Sequence, residues 1–305
     1  MPEREWVRPD LSGTVALVAG ATRGAGRAIS VELGACGATV YCSGRSTRGG
    51  LAGTRSETID ETAELVTAAG GRGIAVRCDH TVAAEVAALV ERIAAEQGGR
   101  LGLLVNDVWG GDELAEWGTP FWELDLGKAL LMQERAVWSH LITARLAAPL
   151  LVAGGSGLIV EVTDGDNLDY RGNLPYSLAK SSSILLAQGM AADLRAAGHE
   201  RVSAVAVTPG FLRSEAMLDH FGVSEDNWRD AVAKDPYFAE SETPHYLGRA
   251  VASLAGDPRV HERNGQALAS WHLARHYGFR DVDGRQPHWG EFFERMRLQE
   301  AGPAV

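Results

Sequence analysis

Leu17-Val18-Ala19-Gly20-Ala21-Thr22-Arg23-Gly24-Ala25-Gly26-Arg27-Ala28-Ile29 decides the reading of this chain. A short apolar run leads into three glycines and then into residues with helical spacing, which predicts a strand, a tight turn and a helix. In such a turn the backbone can approach a pyrophosphate closely, and the N-terminus of the following helix favours its negative charge. Far downstream, Tyr176-Ser177-Leu178-Ala179-Lys180 can set a phenol beside an ammonium one helical turn away. Each stretch alone is common, and their order on one alternating chain is what carries information.

Working outward, Thr14 to Ala19 is the first strand, and Arg27 to Leu33 opens a helix that stops near Gly34 and Gly37. Strand composition returns at Ala38 to Ser43, Ile74 to Cys78, Leu101 to Val105, Gly157 to Val162, Arg201 to Val207 and Gln266 to Ala269. Helical patterns fall between them at Thr58 to Ala69, Val82 to Ala95 and Leu130 to Leu151, the last despite Pro149. Another helix starts at Tyr176, with Leu178, Leu185, Ala192 and Leu194 expected on its apolar face, and Pro209-Gly210 ends the strand after it. This rhythm predicts an α/β protein with a parallel sheet and helices on both faces.

The chain has 305 residues and 45% apolar content, enough for one large core, so residues 1–305 are expected to form a single domain. Residues 211–264 lose the rhythm and are expected to cover a substrate pocket, an aromatic helical pair packed on the core being the blander reading. Residues 270–305 form a C-terminal extension in which Trp289, Phe292, Phe293, Met296 and Leu298 cover the core or meet another subunit. Met1 to Trp6 is charged and lacks an apolar leader, and no later run approaches bilayer-spanning length, so a cytoplasmic location without membrane contact is expected. Cys36, Cys42 and Cys78 read as buried thiols, and none of the nine histidines falls in a metal-ligand motif, so no metal is expected. A net charge of −11 without a basic stripe argues against nucleic acid.

Over roughly Leu11 to Ala269 the sequence resembles the short-chain dehydrogenase/reductase family. The likeness is carried by Gly20-Ala21-Thr22-Arg23-Gly24-Ala25-Gly26, by Asp79 after the third strand, by Asn106 after the fourth, by Tyr176 with Lys180, and by Pro209-Gly210. It implies a doubly wound, Rossmann-type fold with a mainly parallel central sheet, residues 11–210 forming the main cofactor-binding region. The nicotinamide cofactor would lie across the sheet's C-terminal edge. By the same resemblance Asp79, with His80 beside it, meets the adenine end, Asn106 stabilises the central strand edge, and Pro209-Gly210 lies beside the nicotinamide. Tyr176 would exchange a proton with an alcohol or carbonyl, and Lys180 would stabilise its phenolate and bind the nicotinamide ribose. The resemblance also implies a homodimer or homotetramer.

The chain departs from the family pattern in three places. The usual paired serines are replaced by Val162-Thr163-Asp164-Gly165, leaving the substrate-orienting role to Thr163 or Asp164. Thr163 can donate through its hydroxyl, whereas an ionised Asp164 can only accept and would oppose tyrosinate formation nearby. The first is favoured as the direct donor, the second as a positioning group. The usual Asn-Asn-Ala-Gly stretch is altered to Asn106-Asp107-Val108-Trp109-Gly110, and the later helix asparagine has no counterpart among Gln133, Glu134, Arg135 and Ala136.

The second strand ends at Cys42-Ser43-Gly44-Arg45 without an acidic residue for the NAD ribose, while Arg23 and Arg45, joined by Arg48 or Arg55, offer positive charge to a 2'-phosphate. NADP(H) is therefore expected, with NAD(H) the alternative. Met217, Leu218, Phe221 and Trp228 would form a cover and Trp109 an opposite wall, suiting a partly apolar small-molecule alcohol or carbonyl. Glu215, Asp219, Glu225 and Asp226 would recognise hydroxyl groups or face water. The competing reading is a catalytically weak nucleotide-binding or regulatory protein.

Overall fold

Seven short segments form a sheet whose central strands, being apolar, can bury their side chains only between two layers of helices. In the computed structural model, which describes residues 5–301, these are β1 (Val15–Ala19), β2 (Thr39–Gly44), β3 (Arg72–Arg77), β4 (Leu103–Asn106), β5 (Gly157–Val162), β6 (Val202–Thr208) and β7 (Ala267–Ala269). Residues 1–4 of the charged N-terminal segment and 302–305 of the C-terminal extension lie outside the described residues. The strand order is β3-β2-β1-β4-β5-β6-β7 and every neighbouring pair is parallel, the doubly wound arrangement expected.

Side chains alternate between the two faces, as a pleated strand requires. Ala16, Val18, Val40, Val105 and Val160 pack under α1 (Gly24–Ala35), α2 (Ile59–Ala68) and, further on, α8 (Pro244–Ala255) and α9 (Ser270–Tyr277). Val15, Leu17, Leu104 and Ile159 face α3 (Ala83–Gln97), α5 (Ser139–Ala153) and α6 (Leu174–Ala196). Winding reverses between β1 and β4, and a crevice opens where their carboxyl ends diverge.

Several boundaries differ from the sequence reading. β3 starts two residues earlier than Ile74. The helix expected from Leu130 begins with α4 (Leu126–Gln133), capped by Asp125, and passes through a π-helical turn at Glu134–Trp138 into α5. The continuous Leu126–Ala153 helix is long and apolar enough, by length and composition alone, to cross a membrane, contrary to expectation. Its Ala144, Ala147 and Leu151 are packed in the core.

Helix α6 begins at Leu174, before Tyr176, because Asn173 accepts a hydrogen bond from the Tyr176 amide and Pro175 suits the first turn. Its expected apolar face is corrected as well: Leu178, Leu185 and Ala192 are exposed, and Leu194 is buried. The buried stripe is Ala179, Ser183, Ala187 and Ala191, small residues that let the helix lie close to the sheet and turn its leucines outward.

The interval 211–264 divides in two. α7 (Glu215–Phe221) borders the crevice through Glu215, Ala216 and Met217 and packs on the 3-10 turns Trp228–Ala233 and Pro236–Glu240, whereas α8 belongs to the main core. A Cβ on Gly248 would lie 2.9 Å from the Ala28 carbonyl oxygen, so α8 crosses α1 nearly backbone to backbone. The last helix, α10 (Trp289–Ala301), sets Trp289 edge-on to Phe211 at 5.7 Å and buries Phe292, leaving Leu298 exposed.

Candidate active site

The glycine turn is built by contact. Gly20 has φ +91°, and a Cβ there would collide with the Asp107 carbonyl; a Cβ on Gly26 would collide with the Gly20 carbonyl. Asp107 donates its amide to Ala19 at 2.9 Å, so the loop after β4 is pressed against the turn. Helix α1 begins at Gly24, whose amide donates to the Glu215 carboxylate at 2.8 Å. The cover helix is thereby tied to the turn.

A cleft of about 610 Å³ opens at this point. Gly20, Thr22, Arg23, Gly24 and Ala25 form one end of it, with Arg45, Asp79 and His80 behind them. Pro209 and Gly210 line the other end, near Thr163, Asp164, Tyr176 and Lys180. Gly26 and Asn106 do not line it. Asp79 caps its own loop through Thr81 and lies 3.8 Å from Arg45. His80 is a buried bridge between Ser43 and Thr143, at 2.9 and 2.8 Å, and burial lowers its pKa to about 4. Arg48 and Arg55 are engaged elsewhere, the first with Glu64 and the second with Glu57 and Asp219.

The two candidates for the serine position part company. Thr163 is buried and donates its hydroxyl to the Lys180 carbonyl at 2.7 Å, fastening β5 to α6. Asp164 is the residue at the phenol: Tyr176 Oη donates to Asp164 Oδ2 at 2.7 Å. Thr163, favoured as the direct donor, lines the cleft as well, but its hydroxyl is spent on the Lys180 carbonyl, and the phenol's partner is Asp164 instead. Burial, then the Asp164 carboxylate, holds the Tyr176 phenol far above its ordinary range. Burial also lowers the Lys180 pKa, opposed by Asp164 and Asp107.

Lys180 Nζ stands 4.0 Å from the centroid of the Trp109 ring, and Trp109 meets Tyr176 edge-on at 5.4 Å. Trp117 closes the other side of the phenol at 5.2 Å. Of the expected cover residues only Met217 lines the cleft; Leu218, Phe221 and Trp228 gather around Phe238 in a separate small core. Of the cover's acids, Glu215 and Asp219 hold Gly24 and Arg55, and Glu225 pairs with buried Arg213.

Beneath the cleft lies a polar cluster that the sequence reading missed. Asn106 Nδ2 donates to Glu161 Oε1 at 2.7 Å, Glu161 Oε2 is 2.6 Å from His140 Nδ1, and His140 Nε2 is 3.0 Å from the Val108 carbonyl. All three side chains are buried. Glu161 interrupts the apolar run Leu158-Ile159-Val160, and a carboxylate buried at the centre of a sheet was the available signal. Asp107, also missed, is half-buried; desolvation raises its pKa to about 7 against the pull of Lys180. Among the described residues no group of three or more His, Cys, Asp or Glu could hold a metal ion.

A cleft that begins at a glycine turn on a helix N-terminus and ends at a tyrosine and lysine one helical turn apart defines a dinucleotide-dependent oxidoreductase site. The family model for short chain dehydrogenases matches residues 14–221, and the chain belongs to the short-chain dehydrogenase/reductase family. It is 36% identical to dehydrogenase/reductase SDR family member 1 of Mus musculus over 279 residues, 90% of this chain and 85% of that protein. The Homo sapiens protein of that name is 35% identical over the same shares. Similarity to the 7alpha-hydroxysteroid dehydrogenase of Escherichia coli (strain K12) is 27% over 68% of this chain and 74% of that protein. Among solved structures, a short chain dehydrogenase from Mycobacterium thermoresistibile superposes with a TM-score of 0.75 at 22% identity, covering 92% of this chain and 93% of that one. The family generally binds NAD(P)(H). The residues here fit such a group: two glycines of the turn have no room for a Cβ, and Arg23 and Arg45 line the cleft.

Proposed function

We propose that this chain is an NADP(H)-dependent oxidoreductase that interconverts a carbonyl and an alcohol on a partly apolar small organic substrate, in the reducing direction near neutral pH. One observation carries the reading: the Tyr176 hydroxyl, the Asp164 carboxylate and the Lys180 ammonium converge in a cleft continuous with the glycine turn. When bound, the nicotinamide cofactor supplies or accepts the hydride. Tyr176 gives its phenolic proton to the oxygen that becomes the alcohol, and Lys180 offsets the charge left on the phenol. Asp164 orients the hydroxyl by accepting from it and keeps it protonated, which suits an acid better than a base. Half-exposed to the cleft, Asp164 is also the path by which a proton from solvent restores the phenol.

Arg23, in the turn after β1, and Arg45, just after β2, both line the cleft and support a preference for the 2'-phosphate. Trp109, Trp117, Phe211 and Met217 supply apolar walls for a ring-bearing substrate. The 7alpha-hydroxysteroid dehydrogenase solved with NADH and 7-oxo glycochenodeoxycholic acid, with a TM-score of 0.68 to this chain, shares its fold. The test is oxidation of NADPH and NADH with a panel of aliphatic and ring-bearing aldehydes and ketones. Tyr176→Phe is expected to lower turnover by roughly 10²–10⁴-fold with cofactor affinity kept, and Lys180→Ala to impair both. Arg45→Ala should weaken NADPH more than NADH, and equal weakening would remove the NADP(H) assignment. The engagement of the phenol by a carboxylate favours a second reading, a nucleotide-binding protein with little turnover. Tight NADPH binding without oxidation by any carbonyl of the panel would establish it.

A further inference from the structure

Hydrogen-bond accounting fixes the role of His140. The Val108 carbonyl can only accept, so His140 Nε2 carries a hydrogen and donates to it at 3.0 Å. On the other side of the ring, Nδ1 and Glu161 Oε2 are 2.6 Å apart, which requires a proton between them. Glu161 spends its second oxygen on Asn106 Nδ2. The imidazole is thus held from β5 and can present only one face of its chemistry, an N–H, to the loop after β4.

That loop is the wall of the reaction site. Val108 lies between Asp107, whose amide is pinned to Ala19, and Trp109, whose ring lies under Lys180 Nζ at 4.0 Å and against Tyr176 at 5.4 Å. Arg135, on the π-helical turn preceding α5, holds the Gly110 carbonyl at 2.9 Å from the same side. The segment between Asp107 and Gly110 is therefore suspended between the glycine turn and the helix that carries His140.

We propose that His140, oriented by Glu161, is a positioning residue for the reaction: by holding the Val108 carbonyl it sets the Trp109 indole, and through it the Lys180 ammonium beside the Tyr176 phenol. The inference rests on the proton-transfer reading of Tyr176 and Lys180 above.

The test compares His140→Gln with Glu161→Gln in the full chain. In His140→Gln the amide N–H can still serve Glu161, but an oxygen or nothing faces Val108, so the loop is released while the buried carboxylate stays paired. In Glu161→Gln the new amide donates to His140 Nδ1 and the Nε2 donor to Val108 survives. The expected result for His140→Gln is a fall in kcat of roughly ten- to a hundredfold, with KM and NADPH affinity changed less than about threefold. Glu161→Gln, the conservative variant, retains most of the activity. The fluorescence of Trp109, obtained as the difference from a Trp109→Phe background, shifts to the red in His140→Gln and not in Glu161→Gln.

A folded His140→Gln with unchanged kcat and unchanged Trp109 emission overturns the proposal, as do equal losses in both variants. If His140→Gln fails to fold, Trp109→Leu removes the last link without touching the buried pair, and an undiminished kcat there is equally fatal. A wild-type chain that oxidises NADPH with no carbonyl would sink the functional reading alone, since the Trp109 emission still reports whether His140 sets the loop.

Discussion

At the scale of single residues, the Asp164 carboxylate beside the Tyr176 phenol is the basis for proposing the reducing direction. A carboxylate 2.7 Å from the phenol penalises its deprotonation, adding to the cost of burial. The acid form of Tyr176 therefore persists to high pH, and the base form needed to oxidise an alcohol is scarce near neutrality. Asp164→Ser removes the charge and should bring the phenol's pKa down. The expected outcome is a pH profile for alcohol oxidation that rises at lower pH than in the parent, with the ratio of oxidation to reduction increased at pH 8. A profile unmoved by the substitution would mean that Asp164 does not govern the phenol. Glycine and tyrosine–lysine spacing were legible because turn geometry and helical pitch constrain them. The choice between Thr163 and Asp164 was not, because both line the cleft and it depends on which polar group is spent on a neighbouring backbone carbonyl. The Glu161–His140 pair was hidden for a related reason: two polar residues, each alone in an apolar pattern, reveal their contact only when strand and helix are stacked.

At the scale of elements, the strands and their helices were readable wherever apolar periodicity and glycine stops agreed, from β1 through β6. Helix α8 was lost because Pro244 and Gly248 look like breakers in sequence. Pro244 sits in the first turn, where its missing N–H costs nothing, and Gly248 is the point at which α8 meets α1. Gly248→Ala would put a methyl against the Ala28 carbonyl and the Glu32 side chain, both 2.9 Å from the added atom. A loss of about 1–3 kcal/mol is expected from forcing the helices apart, measured by the urea midpoint. Stability equal to the parent's would show that the crossing relaxes freely. Likewise the aromatic residues of the cover were read as a pocket wall because sequence distinguishes apolar from polar but not inward from outward. Phe221, Trp228 and Phe238 give the cover a core of its own, so that it can behave as a unit.

At the scale of the whole molecule, the long helices turn several leucines outward. Leu130, Trp138, Leu141, Leu178 and Leu185 are each more than 40% exposed on α4 to α6, although buried leucines abound elsewhere. Their exposure is the ground for proposing a homo-oligomer formed through this layer. The double variant Leu141→Glu/Leu185→Glu should elute as a monomer in size-exclusion chromatography with light scattering, while the parent elutes as a dimer or tetramer. A monomeric parent would assign this face to some other contact.

The Gly24–Glu215 hydrogen bond has a consequence for the timing of the catalytic cycle. A single charge-assisted contact, backed by Asp219 on Arg55, joins the cover to the very turn over which a dinucleotide would be threaded. On the proposed NADP(H) reading, departure of the spent nucleotide would wait on the unfastening of the cover. Glu215→Ala should therefore raise the dissociation rate of NADPH several-fold in a stopped-flow displacement experiment. Where release limits turnover, the same substitution would make a looser enzyme the quicker one.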